Sequence, residues 1–228
     1  MQDFIDSFSQ NFIEDDRYMY LLEGLGNTII IAVLAGLIGI VLGFIVAVIR
    51  STHDKHGGLT ILNFICKVFL TVWRGTPTVV QLMIMFYIIL VSFDSKVMVA
   101  TVAFGLNSAA YVAEIMRSGI MSVDEGQFEA GRSLGLTYGK TMRLIILPQA
   151  FKNVLPALGN EFITLLKETS VSGYIGLMDL TKGADIIRSQ TYEAFLPLFG
   201  IAAIYLVMVM ILTALINKLE RRLRSNER

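Results

Sequence analysis

Two uninterrupted runs limit what this chain can fold into more than any other feature: 22 uncharged residues from Thr28 to Ile49, and 21 from Leu196 to Ile216. At about 1.5 Å of rise per residue, each run is long enough as a helix to cross a hydrocarbon layer roughly 30 Å thick. Composition points the same way. Of 228 residues, 54% are hydrophobic and only 17% charged, and the mean hydropathy is +0.64. These values exclude a soluble domain of this length and leave an all-α polytopic membrane protein with small extramembrane parts. The first 27 residues are acidic and lack a small-residue cleavage site, so they do not read as a signal peptide and the first run is expected to stay in the membrane.

Three more spans are expected between the two runs. The second, from Ile61 to Val91, is interrupted by Lys67 and by Trp73-Arg74-Gly75-Thr76-Pro77. Either one helix kinks there, or a sloping amphipathic helix leads into a short vertical one. Pro77 suits the first turn of the renewed helix, where its missing N–H costs nothing. Trp73 and Arg74 suit an interfacial anchor better than a binding role. The third span, Val97 to Ala113, holds Asn107 and Ser108 near its middle and ends at Glu114 to Arg117. The fourth, Leu144 to Leu166, is expected to break at Pro148 and Pro156, and carries Gln149, Lys152, Asn153, Asn160 and Glu161. Ionisable groups at membrane depth belong against protein or water, which makes Glu161 the most suspect of them. In the first span Gly39 and Gly43, with Gly36 close by, permit close approach of another helix. Residues up to Arg17 read as a short interfacial helix, and the stretch from Lys167 to Gln190 as an external connection with one or two short helices.

Charge sets the orientation. Six acids against one base lie in residues 1–23, and five bases against two acids follow Ile216. Basic residues mark the cytoplasmic side, so the C-terminus is expected inside and the N-terminus outside. Lys96, Lys182 and Arg188 dissent, but are outnumbered. The expected division is an external segment 1–22, a transmembrane domain 23–221 and a cytoplasmic basic tail 222–228. Nothing in this pattern favours nucleic acid.

The longest strongly polar interval, Ser122 to Pro148, falls on the cytoplasmic side of that topology. Ser122 precedes Glu125 by three residues, the spacing of a capping box, which would start a helix near Val123. Gly135 can end that helix in a left-handed conformation, and Thr137 can cap a second one. The segment carries Glu125, Glu129, Arg132, Lys140 and Arg143. By itself it reads equally well as a solvated loop or as a docking surface.

Catalytic signatures are not found. There is no glycine-rich phosphate loop ending in lysine and serine or threonine, and no histidine pair is expected on a helix for zinc. His53, Asp54 and His56 share a loop without a fourth ligand nearby, so no metal site is expected. The single cysteine, Cys66, excludes an internal disulfide and reads as a packing residue. A chain that moved a solute would draw its energy from an ion gradient or from another protein.

The run Glu129-Ala130-Gly131, with Gly135 and then Leu147-Pro148, resembles the cytoplasmic signature loop of the membrane subunits of bacterial binding-protein-dependent ATP-binding-cassette importers. In that family a second alanine is commonest where Gly131 stands. Further pieces resemble the branch that carries polar amino acids: Gly24-Leu25-Gly26-Asn27-Thr28, Trp73 to Pro77, Ala109 to Gly119, Pro148-Gln149-Ala150 with Pro156, and Lys167-Glu168-Thr169-Ser170. The resemblance runs from Gly24 to the end of the chain.

It implies a five-helix permease of the type I importer fold in a bacterial cell membrane. Such a subunit pairs with a second copy or a relative, sits on two ATPase subunits that bind ATP and Mg, and receives a polar amino acid from an extracellular solute-binding protein. The chain itself would be no enzyme and hold no cofactor. A coupling segment, 122–143, would dock on the ATPase through Glu125, Phe128, Glu129, Ala130, Gly131, Arg132 and Gly135, with Val123 and Leu134 adding apolar area. Asn160 and Glu161, then Asn107 and Ser108, are the candidates for lining the substrate pathway. Two other classes stay open: a channel or ion-coupled carrier working alone, and a structural partner subunit whose own pathway is unused.

Overall fold

In a computed structural model, residues 2–225 are described, and they are helical almost throughout. The helices are α1 (Gln2–Phe8), α2 (Tyr18–His56), α3 (Thr60–Gly75), α4 (Thr78–Ile84), α5 (Lys96–Met121), α6 (Gly126–Ser133), α7 (Tyr138–Thr141), α8 (Leu147–Glu168), α9 (Leu180–Thr191) and α10 (Phe195–Ser225). Wider π turns extend α4 through Met85–Ile89 and join α7 to α8 through Met142–Ile146. Residues 226–228 of the expected basic tail lie outside the described residues.

Three helices among these are long and apolar enough to cross a membrane: Tyr18–Asp54, Lys96–Met121 and Phe195–Leu223. A fourth crossing is available if Thr60–Gly75 and Thr78–Ile89, bent by 112° at the break, form one broken span. The bend decides between the two readings of that region in favour of an amphipathic helix followed by a short separate one. Pro77 adopts φ −65° and ψ 137°, an extended residue just before α4.

The fourth expected span needs a correction. Neither Pro148 nor Pro156 breaks it: α8 is continuous over 22 residues with Pro156 inside. Proline removes one backbone hydrogen bond there. Val154 and Leu158, on either side, are buried in a cluster with Ala47, Val112 and Met116 that holds the helix in place. The polar residues that made this stretch conspicuous also leave it less apolar than the three long helices.

The membrane helix α2 is patterned opposite to a helix of a soluble protein. Most of its buried positions, Thr28, Ala32, Ala35, Gly39, Gly43 and Ala47 among them, are small, with Leu21 and Ile31 the large exceptions, whereas Ile29, Ile30, Val33, Leu34, Leu37 and Val41 face outward. Lipid rewards large apolar side chains on the outside, and small ones inside let backbones approach.

The chain divides into two compact units. One gathers the described residues up to 37 with 76–105 and 162–212. Its core packs Leu21, Leu180, Ala184, Ile187 and Ile201 together, so that α9 lies against the start of α2 and the start of α10. Buried Asn11 fastens the N-terminal segment: its amide nitrogen donates to the Ser7 carbonyl (2.8 Å) and to Glu193, and its oxygen accepts from the Thr191 hydroxyl at 2.9 Å. Asp179 caps α9, accepting from the Lys182 N–H at 2.6 Å and from the Gly173 N–H at 3.1 Å.

The second unit gathers residues 38–75, 106–161 and the described part of 213–228. Gly39 and Gly43 face α5 as expected. A Cβ on Gly39 would lie 2.7 Å from Ser108 Oγ, and one on Gly43 would lie 2.7 Å from Val112 Cβ. Glu114 is clamped between two guanidiniums, Arg50 on one oxygen and Arg117 on the other at 3.2 Å. All three side chains are mostly shielded, and in such a setting removing one partner strands the rest.

Candidate functional site

The polar interval folds into two short helices, but not with the expected start. The Ser122 hydroxyl donates to the Gly119 carbonyl at 2.7 Å, so it finishes α5 and does not cap α6. The Asp124 carboxylate accepts from the Gly126 N–H at 2.7 Å, and α6 begins at Gly126, with Glu125 before it already in helical geometry. A capping box needs an extended residue at the N-cap, and an α5 that runs on to Met121 leaves none at Ser122.

The end of α6 follows expectation. Gly135 takes φ +75°. The Leu136 N–H donates to the Gly131 carbonyl at 3.0 Å and the Gly135 N–H to the Arg132 carbonyl at 2.9 Å. These two bonds form a Schellman motif, which satisfies carbonyls the helix would otherwise leave open. Thr137 does stand at the N-cap of α7, in extended geometry, but its side chain makes no capping bond. Its carbonyl instead accepts the Thr141 hydroxyl at 3.2 Å.

Packing divides the predicted coupling residues into two groups. Glu125, Glu129, Ala130 and Arg132 are exposed, with Leu134 78% exposed beside them and Gly135 open. Phe128 and Gly131 face inward. The Phe128 ring stacks on Tyr138 at 5.6 Å with 9° between planes, and Gly131 is buried against Thr141. Val123, expected to supply docking area, is only 6% exposed and belongs to a core cluster with Ile120, Ile146 and Ala150. An α6 starting three residues later than expected explains this, since Val123 then stays on the hinge that packs under α8.

Among the pathway candidates, Ser108 and Glu161 meet. The Ser108 hydroxyl donates to a Glu161 carboxylate oxygen at 3.1 Å. Gly39 makes room for that contact, because any side chain there would strike Ser108. Asn107 is buried, while Asn160 is exposed one position from Glu161 and hence on a different face of α8. The Ser108–Glu161 contact was not readable from the sequence, which separates the pair by 53 positions. Its one trace there was a small hydroxyl and a carboxylate at the middle of two different spans.

Long apolar helices and a bent helix pair, with an exposed polar two-helix segment between α5 and α8, define a multi-pass membrane protein. The chain belongs to the family described as binding-protein-dependent transport system inner membrane component, whose model matches residues 39–225. It is similar to the arginine transport system permease protein ArtQ of Bacillus subtilis, with 41% identity covering 91% of this chain and 94% of that one. Similarity to the glutamine transport system permease protein GlnP of Escherichia coli K12 is 36%, covering 90% and 93%. A solved structure of an amino acid ABC transporter with histidines superposes with a TM-score of 0.82 at 41% identity, covering 90% of this chain and 94% of that one. The MetNI methionine ABC transporter shares the fold at 19% identity, with a TM-score of 0.81.

Proposed function

We propose that this chain is the permease subunit of an ATP-driven importer of polar amino acids, forming the pathway by alternating access. The support is its membership of the binding-protein-dependent family together with its likeness, over nine-tenths of its length, to the arginine and glutamine permeases. The proposed topology has five crossings: α2, the bent pair α3 and α4, α5, α8 with its preceding turn, and α10. The N-terminus lies outside and the C-terminus in the bacterial cytoplasm, with divisions 1–22, 23–221 and 222–228.

In this reading two permease subunits, identical or related, sit on two ATPase subunits. A solute-binding protein delivers the amino acid from outside. The coupling segment 122–143 presents Glu125, Glu129, Ala130 and Arg132 to the ATPase, while Phe128, Gly131 and Gly135 keep it in shape. ATP-driven closure of the ATPase pair moves the segment, and that movement biases a two-state permease from inward-open to outward-open. Glu161, Asn160, Asn107 and Ser108 line or support the pathway. A carboxylate there suits the ammonium group of the substrate, and the Ser108 hydroxyl orients it.

Purification of the complex from native membranes, with identification of its other chains, tests the assembly. An ATPase and a binding protein should accompany the permease. Substrate flux in liposomes holding this chain alone would instead establish an ATPase-independent channel or carrier. Full transport after changes at Glu161 would favour a structural partner subunit.

A further inference from the structure

Three faces run along α3. Asn63, Cys66 and Leu70 are buried. Ile61, Phe64, Ile65, Val68 and Val72 form an exposed apolar stripe, with Ile61 78% and Phe64 67% exposed. Between these two faces, at positions i, i+4 and i+7, stand Lys67, Thr71 and Arg74.

That middle face forms one wall of a cavity of about 580 Å³, completed by Arg50, Tyr111 and Glu114. Its charge is unbalanced. Glu114, the one carboxylate in the wall, is already shared by Arg50 and Arg117. Arg74 rests over the Tyr111 ring, 5.6 Å from its centre, and its guanidinium makes no hydrogen bond or ion pair among the described residues. No ion pair or hydrogen bond to the Lys67 ammonium occurs among the described residues, and the buried Nε of Arg50 likewise has no hydrogen-bond partner among them. Three cations facing one neutralised carboxylate suit an oxyanion, which guanidinium and ammonium groups hold through charge-assisted hydrogen bonds.

The position selects which oxyanion. Arg50 closes the uncharged run of α2, the depth at which basic side chains meet lipid headgroups. The apolar stripe of α3 borders the cavity, and a water-soluble anion gains nothing from it, whereas an acyl chain does. We propose that this cavity binds the phosphate headgroup of an anionic phospholipid whose acyl chains lie along Ile61, Phe64, Ile65, Val68 and Val72.

The test is lipid retention by the purified transporter complex, read by native mass spectrometry, using phosphatidylglycerol and phosphatidylcholine with identical acyl chains. Phosphatidylglycerol should be retained about tenfold over phosphatidylcholine, corresponding to roughly 1.4 kcal/mol. Lys67→Gln with Arg74→Gln should abolish that preference. Lys67→Gln alone removes no ion pair or side-chain hydrogen bond among the described residues, so it guards against loss of folding, and it should lower the preference about threefold by removing one of the cations. Lys67→Arg should keep it. Glycerol 3-phosphate at equal concentration should not displace the lipid. Equal retention of the two lipids, or an undiminished preference in the variants, would overturn the proposal. Displacement by glycerol 3-phosphate would overturn the lipid assignment in favour of a soluble anion.

Discussion

Gly131 and Thr141 are packed so closely that a methyl group on the first would lie 2.6 Å from both the hydroxyl oxygen and the methyl carbon of the second. The contact joins α6 to α7 and accounts for glycine at the position where the resemblance led us to expect alanine. With Thr141 opposite, there is no room for one.

Gly131→Ala is therefore expected to behave as an overpacking change, costing about 1–3 kcal/mol. The thermal transition of the complex should fall, and Thr141→Ala in the same chain should restore most of it. An unchanged transition in the single variant would mean that the two helices are not held at this contact.

Gly135 is tested through its left-handed backbone. Gly135→Ala should cost about 1–2 kcal/mol, because a Cβ at φ +75° strains the Schellman turn. Hydrogen exchange at the Gly135 and Leu136 amides should quicken while exchange in α5 stays the same. Equal exchange rates would contradict a left-handed Gly135 at this turn.

Asp179 gives a pH dependence. It is fully buried, and burial pushes its carboxyl up from 3.8 to about 6, against the Lys182 and Gly173 N–H groups that hold it down. Between those two values the folded state binds more protons than the unfolded one, so stability must fall as pH rises through the window. Protection of the residues around the α9 cap should decrease from pH 4 to pH 6, and Asp179→Asn, which can still cap, should remove that slope. Protection that rises with pH in the same window would contradict the assignment.

Much of the fold could be read from the sequence, for reasons these residues make clear. Uncharged length identified α2 and α10, and a glycine pair four residues apart identified the face of α2 that meets α5. Gly135 announced its turn because few other residues accept that backbone. The boundaries at Ser122 and Pro156 failed for a shared reason: local signals were overruled by neighbouring helices, α5 continuing past its expected end and α8 held continuous by buried Val154 and Leu158. Contacts between distant positions, such as Phe128 with Tyr138 and Ser108 with Glu161, leave no local pattern. The sequence therefore offered Phe128 as a docking residue without showing that its ring stacks on Tyr138.

Ser108 and Glu161 separate support from chemistry. Ser108→Ala removes one hydrogen bond, worth about 1 kcal/mol, and should lower transport modestly. Glu161→Gln keeps the shape but removes the charge, and should lower it much further if the carboxylate meets an ammonium group. Uptake of labelled amino acid into proteoliposomes distinguishes the two, and wild-type uptake by Glu161→Gln would exclude a direct ligand role.

The central claim is that the exposed face of α6 couples this permease to its motor. The most direct measurement is ATP hydrolysis by the reconstituted complex, with and without substrate-loaded binding protein, for the wild type and for Glu129→Lys. Glu129 is exposed, so reversing its charge should leave the chain folded and in the membrane. The account predicts that stimulation by the binding protein is lost in Glu129→Lys. Stimulation equal to that of the wild type would contradict it.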